Sequence, residues 1–465
     1  MSSQGLVPPN ELASYIYQDK NNTTLAAAAQ ATANTALANA ATAQTTANIG
    51  AAIPASYGLT KNNYSLTSPA AMQFWQELMN KVGYAGANVS TPVRIGVALY
   101  GDSTMVGVGI SQTGGGMGGA AQLSWPRQLA KIMANAGIPA QVNSVFGQAN
   151  LTGATASSYA VYNTEVSVGG GDNADWSLAN TNPSCPGGYP FRYTNGGAGG
   201  FNNAGSTFSF TPPNAFDTFE VFYTQHGGTL NCNVDGGAAL TVSSGLGSGG
   251  TLVTIPSSYA SFANGKSVYS VAHGTHTINV VIQSGTTTDI AGIHAYDSTI
   301  SYVDLIPMCS YGAKIATLND TTYFGAPAYI THVIGGLLYV WINLTVNDIG
   351  GSTTAASYLS AMTALQTLFK TGNGTIGVGY MIGPFTSAMN SGGGVAGEAI
   401  TAQILAEAPS LSWYDGVTNM PTPVIDYASR WAGQGISGLM GGDGIHPTIS
   451  GATDIARAVG TALLG

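Results

Sequence analysis

The sequence predicts an α/β fold built on a parallel β-sheet, and three observations lead to this prediction. Apolar strands alternate with helices over residues 56–155 and again over 301–465, which is the pattern of a parallel sheet covered by helices. Over residues 156–300, short strands of alternating polarity and glycine-rich turns indicate an inserted all-β sandwich of jelly-roll-like type. An alanine-rich stretch within residues 1–55 predicts a helical stalk.

The composition argues against several classes of partner. Only 7% of the 465 residues are charged, where about 25% is usual. Twelve Lys and Arg against 21 Asp and Glu give a net charge of −9. No basic cluster is present, which argues against nucleic acid and anionic membranes as partners. The first residues lack the pattern of a secretory signal, and no run reaches roughly 18 apolar residues, so we expect neither a signal peptide nor a membrane span.

The three cysteines do not form a metal-binding pattern. Cys185, Cys232 and Cys309 lack the short spacings of zinc or iron–sulfur sites, so we expect no bound metal. A disulfide between Cys185 and Cys232 and free buried thiols are the two alternatives for these residues.

The alanine-rich stretch has a seven-residue period. Residues 1–22 are polar, and alanine then stands at positions 26, 29, 33, 36, 40, 43 and 47. These alternating steps of three and four residues form an a/d seam, and so thin an apolar stripe predicts association with copies of the same chain. The period allows two, three or four strands. A disordered low-complexity linker is the alternative.

The first α/β part presents a serine at the end of its central strand. A buried strand over 95–100 runs into the tight turn Gly-Asp-Ser, which presents Ser103. Gly101 allows the backbone to turn sharply at this point. The flanking elements are predicted as a helix over 69–82, a helix over about 123–136 and a strand over 139–147 that ends at Gly147.

The inserted region is predicted as an antiparallel sandwich with turn signals between its strands. Its uncharged surface, with Tyr, Phe and His, suits a sugar chain, and a role as a spacer is the alternative. The predicted strands are 206–212, 218–225, 228–237, 267–272 and 276–285.

The second α/β part carries further polar side chains at the ends of strands. Its most apolar strand leads to Asn347 and Asp348, and the loop before the last helix carries Asp443 and His446. Because the carboxyl ends of parallel strands meet at one edge of a sheet, we expect Asn347 to lie near Ser103. The predicted elements are strands over 302–313, 375–384 and 422–428, and helices over 355–369, 396–407 and about 450–464, the last capped by Thr448 or Ser450.

Ser103, Asn347, Asp443 and His446 have the side chains that catalysis by a nucleophilic serine requires. Ser103 is the candidate nucleophile, and His446 is the candidate base, because an imidazole can take and return a proton near neutral pH. Asp443, three residues before His446, can orient the ring. Asn347 can donate to a developing oxyanion, together with the backbone N–H groups of Ser103 and a nearby glycine. A surface-loop histidine and a strand-terminating asparagine are the alternatives.

Three short motifs resemble the SGNH or GDSL family of serine esterases and acetylesterases. They are Gly-Asp-Ser at 101–103, Val-Asn-Asp at 346–348 and Asp-Gly-Ile-His-Pro at 443–447, and the similarity covers roughly 90–150 and 300–465. The resemblance implies a flavodoxin-like α/β/α sandwich and a reaction without a metal or organic cofactor.

The resemblance also implies a role for each site residue. Ser103 is the nucleophile, Asp443 and His446 complete the triad, and Asn347 joins the backbone of Ser103 in the oxyanion hole. The family's second motif adds a glycine to that hole. Gly147 fits this motif, and Gly312 in the segment CSYGAKIAT is the alternative. Thr345 stands where the family usually has a glycine two residues before the asparagine.

Residues 1–55 resemble the virion-proximal part of bacteriophage tail fibres and tailspikes, which are homotrimers without signal peptides. The resemblance implies attachment to a tail or baseplate protein through residues 1–22 and a location on the virion tail. With the esterase motifs, it implies a tailspike that deacetylates bacterial surface polysaccharide, either capsule or O-antigen. A catalytically silent receptor-binding fibre that recognises host glycan, and a bacterial extracellular GDSL esterase or lipase, are the alternatives.

Overall fold

The structure is a computed structural model that describes part of the chain. The predicted head and stalk over 1–55, the helix over 396–407 and all of the helix over 69–82 except its last residue lie outside the described residues. The described residues are 65–66, 82, 92–108, 110, 120–146, 163–169, 176–178, 191–194, 205–224, 229–240, 244–245, 264–284, 287–309, 311–318, 337–351, 353–371, 377–382, 412–414, 419–421, 424–426 and 438–464.

Helices and strands alternate at both ends of this part of the chain. The helices are α1 (Ser103–Val106), α2 (Ala120–Leu123), α3 (Trp125–Asn135), α4 (Ile315–Leu318), α5 (Val346–Gly350), α6 (Ala355–Thr371) and α7 (Ile449–Leu464). The strands are β1 (Ser65–Leu66), β2 (Arg94–Gly101), β3 (Ala140–Gln141), β4 (Ser144–Phe146), β5 (Val166–Gly169), β6 (Trp176–Leu178), β7 (Phe191–Thr194), β8 (Thr207–Phe210), β9 (Phe216–Thr224), β10 (Thr229–Val234), β11 (Ser244–Gly245), β12 (Asn264–Gly274), β13 (Ile278–Ser284), β14 (Thr287–Tyr296), β15 (Tyr302–Cys309), β16 (Leu337–Asn343), β17 (Gly377–Ile382), β18 (Ser412–Tyr414), β19 (Asn419–Pro421) and β20 (Val424–Asp426). None of the described helices is long and apolar enough to cross a membrane.

A seven-stranded sheet has the predicted strand over 95–100 in its interior, between β16 and β15. Its order is β1-β20-β17-β16-β2-β15-β3, and every pairing except that of β1 with β20 is parallel. All residues of β2 after Arg94 are buried, as expected for a strand in the middle of a sheet that is covered by helices. The α/β class predicted from the sequence is confirmed.

Three neighbouring strands of this sheet end side by side. Gly101, the last residue of β2, pairs with Cys309 of β15 on one side and with Asn343 of β16 on the other. The segments that leave these strands therefore start from the same edge of the sheet. They carry Ser103, Gly312 and Asn347.

Helices α3 and α7 pack closely on each other at this sheet. Trp125, Leu129 and Met133 form the buried face of α3. On α7, Gly460 lies against Ile132 and Leu129 of α3, so that a larger residue there would have to displace Ile132. The helix α7 begins where the sequence predicts, and Thr448 caps it by accepting a hydrogen bond from the Gly451 N–H at 3.2 Å.

The strands from β4 to β14 form two antiparallel sheets. One has the order β10-β13-β8-β5, and the other has the order β11-β12-β9-β14-β7-β6 with β4 also paired to β14. The rings of Phe191 in β7 and Phe208 in β8 lie 4.4 Å apart between their centroids, so the two sheets contact each other through aromatic side chains. Cys232 of β10 and Cys309 of β15 are buried free thiols, while Cys185 lies outside the described residues.

The single strand predicted over 139–147 is wrong. The structure divides it into β3, which pairs in parallel with β15, and β4, which pairs antiparallel with β14. Asn143, between the two, causes the change of partner. Its carbonyl oxygen accepts a hydrogen bond from Ala295 N–H at 2.9 Å, and its side-chain Oδ1 accepts one from Asn214 N–H at 3.1 Å. The chain therefore leaves the parallel sheet before Gly147.

A buried ionic cluster links the parallel sheet to the antiparallel one. His294 of β14 contacts Asp304 of β15 through Nε2 at 2.6 Å and Glu220 of β9 through Nδ1 at 3.2 Å. Arg94 of β2 lies 3.5 Å from Asp304, and Lys266 of β12 lies 3.0 Å from Glu220. Such buried charges are tolerated because each one has partners of opposite sign.

Candidate active site

Ser103 is the first residue of the short helix that follows β2. Asp102 is the N-cap of this helix, and its Oδ1 accepts hydrogen bonds from Thr104 N–H at 2.9 Å and Thr104 Oγ1 at 2.7 Å. Gly101 has to be a glycine, since a Cβ there would lie 2.7 Å from Met105 Cβ. The backbone N–H of Ser103 is one of those that a helix leaves without an intrahelical acceptor.

The Asp102 carboxyl is buried directly behind the serine. Burial raises its pKa, and the two hydrogen bonds from Thr104 and the nearby His446 oppose this rise without cancelling it. Asp102 therefore fixes the start of the helix, and with it the direction in which Ser103 leaves the strand.

His446 lies in a tight loop that closes just before α7. Gly441 N–H donates to the His446 carbonyl at 2.7 Å, and Gly444 has a φ of +67°, which favours glycine. Asp443 Oδ1 accepts hydrogen bonds from the backbone N–H groups of Ile445 at 2.9 Å and His446 at 3.0 Å. These bonds fix both Asp443 and His446 relative to the loop backbone.

The structure brings Ser103, His446 and Asp443 into one line of hydrogen bonds. His446 Nε2 lies 2.8 Å from Ser103 Oγ, and His446 Nδ1 lies 2.6 Å from Asp443 Oδ2. Ser103 and His446 are buried, whereas 47% of the Asp443 side chain is exposed. Burial tends to raise the pKa of Asp443, but hydrogen bonds from the His446 ring and from the Ile445 and His446 N–H groups outweigh it and leave that pKa below its usual value.

Asn347 lies beside this line of hydrogen bonds, on the helix α5. Its side-chain Nδ2 donates to the Ala313 carbonyl at 3.1 Å and to Asp102 Oδ2 at 3.3 Å. An amide nitrogen carries two hydrogens, so both are directed to these acceptors. Asn347 therefore joins the segment that follows β15 to the residue that precedes Ser103.

The two candidate glycines differ in their position. Gly147 lies outside the described residues, and the strand before it, β4, belongs to the antiparallel sheet. Gly312 follows β15, which is next to β2, and has a φ of +73°. Thr345 is buried at the N-cap position of α5, yet its side chain makes no capping bond, and its hydroxyl has no hydrogen-bond partner among the described residues.

Asp348 is a site residue whose role was not predicted from the sequence. Its Oδ2 accepts a hydrogen bond from the Ile315 N–H at 3.0 Å, and the residue is fully buried. Burial raises its pKa to about 7, the nearby Asp102 adds to the rise, and the Lys314 charge opposes it. The only available signal was its position directly after Asn347.

The described residues contain no group of three or more His, Cys, Asp or Glu side chains that could hold a metal ion. The arrangement as it stands provides a hydroxyl, an imidazole, a carboxylate and several N–H groups. These groups can move a proton and bind a negatively charged oxygen.

Comparison with known proteins identifies the fold. No protein-family model and no curated protein matches the chain. A solved structure of a peptidoglycan O-acetylesterase matches with a TM-score of 0.53 and 13% identity, covering 84% of this chain and 94% of that chain. The two chains share a fold. It is a mixed α/β fold with parallel and antiparallel sheets.

Further solved structures match at lower TM-scores. A family two carbohydrate esterase from Cellvibrio japonicus has a TM-score of 0.24 and 8% identity, covering 68% of this chain and 96% of that chain. A salicylyl-acyltransferase from a tetracycline biosynthetic pathway has a TM-score of 0.29 and 8% identity, covering 68% of this chain and 95% of that chain. These similarities are too low to add to the assignment of the fold.

Proposed function

We propose that the chain is a serine carbohydrate O-acetylesterase of the SGNH type. The observation that carries the proposal is the line of hydrogen bonds from Ser103 Oγ through the His446 ring to Asp443, at 2.8 and 2.6 Å. These are the distances that proton transfer from a serine to a histidine base requires. The fold shared with a peptidoglycan O-acetylesterase supports the same class of reaction.

The proposed reaction has two steps. His446 Nε2 takes the proton of Ser103 while Oγ attacks the acetyl carbonyl, and the same proton then goes to the leaving sugar oxygen, which leaves an acetylated serine. A water molecule that gives its proton to His446 attacks this ester and releases acetate. Asp443 accepts the Nδ1–H and stabilises the charged ring in both steps.

The proposed oxyanion hole contains the Ser103 N–H, the Asn347 amide and the Gly312 N–H. Both amide hydrogens of Asn347 already have acceptors, and the bond to Asp102 is the longer one, at 3.3 Å against 3.1 Å. The oxyanion therefore replaces Asp102 as the acceptor when it forms. The neighbouring strands β2 and β15 favour Gly312 over Gly147 as the third donor.

The test is acetate release from acetylated bacterial capsule or lipopolysaccharide. We expect the native chain to release acetate and Ser103→Ala to lose about 10⁶-fold in kcat. Ser206→Ala is the matched control, because Ser206 is also buried but its hydroxyl has no partner among the described residues. Equal release by native chain and Ser103→Ala would refute the mechanism.

We also propose that the enzyme acts as a homotrimeric phage tailspike, attached to a tail or baseplate protein through residues 1–22. The seven-residue alanine period of the stalk supports this proposal. Sedimentation of the full chain tests it: a trimer is expected, and a monomer would favour a bacterial extracellular esterase. Binding of intact polysaccharide without acetate release would favour the silent receptor-binding fibre, and the buried Thr345 would be the first residue to investigate.

A further inference from the structure

The segment that follows β15 is held in place at several points. Asn347 Nδ2 donates to the Ala313 carbonyl, Asp348 Oδ2 accepts from the Ile315 N–H, and Lys314 N–H donates to Thr317 Oγ1 at 2.9 Å. Ala313 and Ile315 are buried. Because Ala313 and Ile315 are fixed, the residues next to them along the segment are held in place as well.

Tyr311 stands at the start of this segment and is exposed. Among the described residues two large apolar side chains are exposed, Tyr311 at 41% and Ile300 at 46%. They flank β15 at opposite ends, and a strand of eight residues spans about 26 Å. Tyr311 follows the carboxyl end of β15, at the edge of the sheet from which Ser103 also leaves, whereas Ile300 precedes the amino end.

Tyr311 lies two residues along the chain from Ala313, whose carbonyl contacts the site residue Asn347. Gly312, with its positive φ, is the only residue between Tyr311 and Ala313. The Ala313 carbonyl and the Asp102 carboxylate both lie within 3.3 Å of the same Asn347 nitrogen. An exposed aromatic ring beside a reaction centre offers a flat apolar face, on which the C–H groups of a sugar ring can pack.

Lys314 places a positive charge on the same segment. Its ammonium group lies over the exposed Gly351, where any side chain would collide with it. Within the described part of the chain, no carboxylate lies within 4 Å of this ammonium group, and its charge acts at longer range on the buried Asp348. Only 12 of the 465 residues are Lys or Arg. A lysine that lies beside the reaction centre and forms no ion pair with a described carboxylate is therefore a selective feature for an anionic ligand.

We propose that Tyr311 and Lys314 form a sugar subsite beside Ser103 that binds an anionic acetylated glycan, and this proposal rests on the proposed esterase function. The sugar ring carrying the acetyl group stacks on Tyr311. A carboxylate of the same or the adjacent sugar contacts Lys314. The substrate is then an acidic polysaccharide rather than a neutral one.

The experiment compares two small sugar esters that differ in one group. These are methyl 2,3,4-tri-O-acetyl-glucoside and the corresponding glucuronic acid, with p-nitrophenyl acetate as a reference ester that has no sugar. For the native chain we expect kcat/KM to be about fivefold higher for the glucuronic acid, and this preference to disappear in 0.5 M NaCl as the charges are screened.

Substitutions then separate the two contacts. Tyr311→Ala should lower the ratio of kcat/KM for either sugar ester to that for p-nitrophenyl acetate by about tenfold, mainly through KM, and Tyr311→Trp should restore it. Lys314→Gln should remove the preference for the glucuronic acid, and Lys314→Arg should keep it. The matched controls, Ile300→Ala and the exposed Lys131→Gln on α3, should behave like the native chain with all three esters.

The outcomes distinguish this proposal from the one on which it rests. Ser103-dependent hydrolysis of p-nitrophenyl acetate without preference for the glucuronic acid, or without activity on either sugar ester, overturns the subsite and leaves the serine mechanism standing. The subsite is likewise overturned if Tyr311→Ala and Lys314→Gln match the two controls. Absence of Ser103-dependent hydrolysis of all three esters overturns both proposals.

Discussion

Two buried histidines among the described residues have the same short contact with an aspartate and different surroundings. His446 Nδ1 lies 2.6 Å from Asp443, and His294 Nε2 lies 2.6 Å from Asp304. The second nitrogen of His446 faces a serine hydroxyl, whereas that of His294 faces Glu220. His294 is completely buried, while the Asp443 partner of His446 is half exposed.

The comparison shows that the second partner decides what a buried histidine can do. Burial alone would lower the pKa of His294, but Asp304 and Glu220 outweigh it and raise that pKa. Both ring nitrogens face a carboxylate, so the protonated ring can donate from both, which makes it a structural link between two sheets. His446 has one carboxylate and one hydroxyl, so its Nε2 can accept a proton and return it.

The largest effect is expected from removing the charge of the aspartate in the site. Asp443→Asn should lower kcat by about 10⁴-fold, because the amide favours the wrong ring tautomer of His446. Thermal unfolding should change little, since Asp443 lies half exposed in a loop. Acetate release and the unfolding temperature measured on the same sample check both statements. A large loss of stability with normal kcat would remove the distinction between the two histidine pairs.

The next largest effect is expected at the other histidine and concerns stability. His294→Gln leaves Asp304 and Glu220 without their shared cation, which should cost about 3 kcal/mol of unfolding free energy. The raised pKa of His294 stabilises the folded state fully below the ordinary value of 6.5, and this contribution is lost as the pH rises through the folded-state value. Denaturant unfolding at several pH values should therefore show the largest difference from the native chain at low pH. The matched control is Lys131→Gln. A difference in unfolding free energy that does not depend on pH would contradict the raised pKa of His294.

A smaller effect on catalysis is expected from changing Asn347, which lies in the same candidate site as His446. Asn347→Ala removes one proposed oxyanion donor and should lower kcat by about 10²- to 10³-fold with little change in KM. Asn347→Asp is a useful second variant, because a carboxylate cannot donate and should not restore the rate. A change confined to KM would show that Asn347 contacts the substrate rather than the oxyanion.

The smallest effect is expected at Asp348, a buried carboxyl whose pKa no described histidine shifts. Folded Asp348 binds its proton below about 7 and the unfolded chain binds it only below the ordinary value of 3.8. Between these values the folded state holds more protons, so the unfolding free energy falls as pH rises. Relative to Asp348→Asn, the native chain should lose on the order of 1 kcal/mol from pH 6 to pH 7. Parallel stability curves for the two chains would contradict this.

The residues of the site could be predicted because each has a local signal. Ser103 follows a run of apolar residues and a glycine, and Asp443 and His446 lie in a glycine-rich loop directly before a helix with a capping threonine. The same kind of signal located β2 to within one residue at each end and α7 to within one residue at its start. Apolar periodicity and turn residues act over a few neighbours, so a single sequence contains them.

The remaining features depend on contacts between distant residues. The strand over 139–147 has a continuous strand-like pattern, yet Asn143 bonds to Asn214 and Ala295 and transfers its second half to another sheet. The choice between Gly147 and Gly312 depends on which strand lies beside β2, and no local pattern indicates that neighbour. The cluster around His294 brings together five strands, and nothing near any one of its residues indicates the others. Such features follow from tertiary pairing, which overrides local preference.

The hydrogen bond between His446 and Ser103 joins residues 343 positions apart. A ribosome delivers the chain from its amino end, so Ser103 emerges early and has no base until residue 446 has been synthesised and the loop has docked. Pairing of β2 with β15 likewise has to wait for some two hundred residues, and contacts of such long range form slowly. The nascent chain is therefore expected to be inert toward esters throughout its synthesis. In a refolding experiment, the return of acetate release would mark the closing of this loop between residues 343 positions apart.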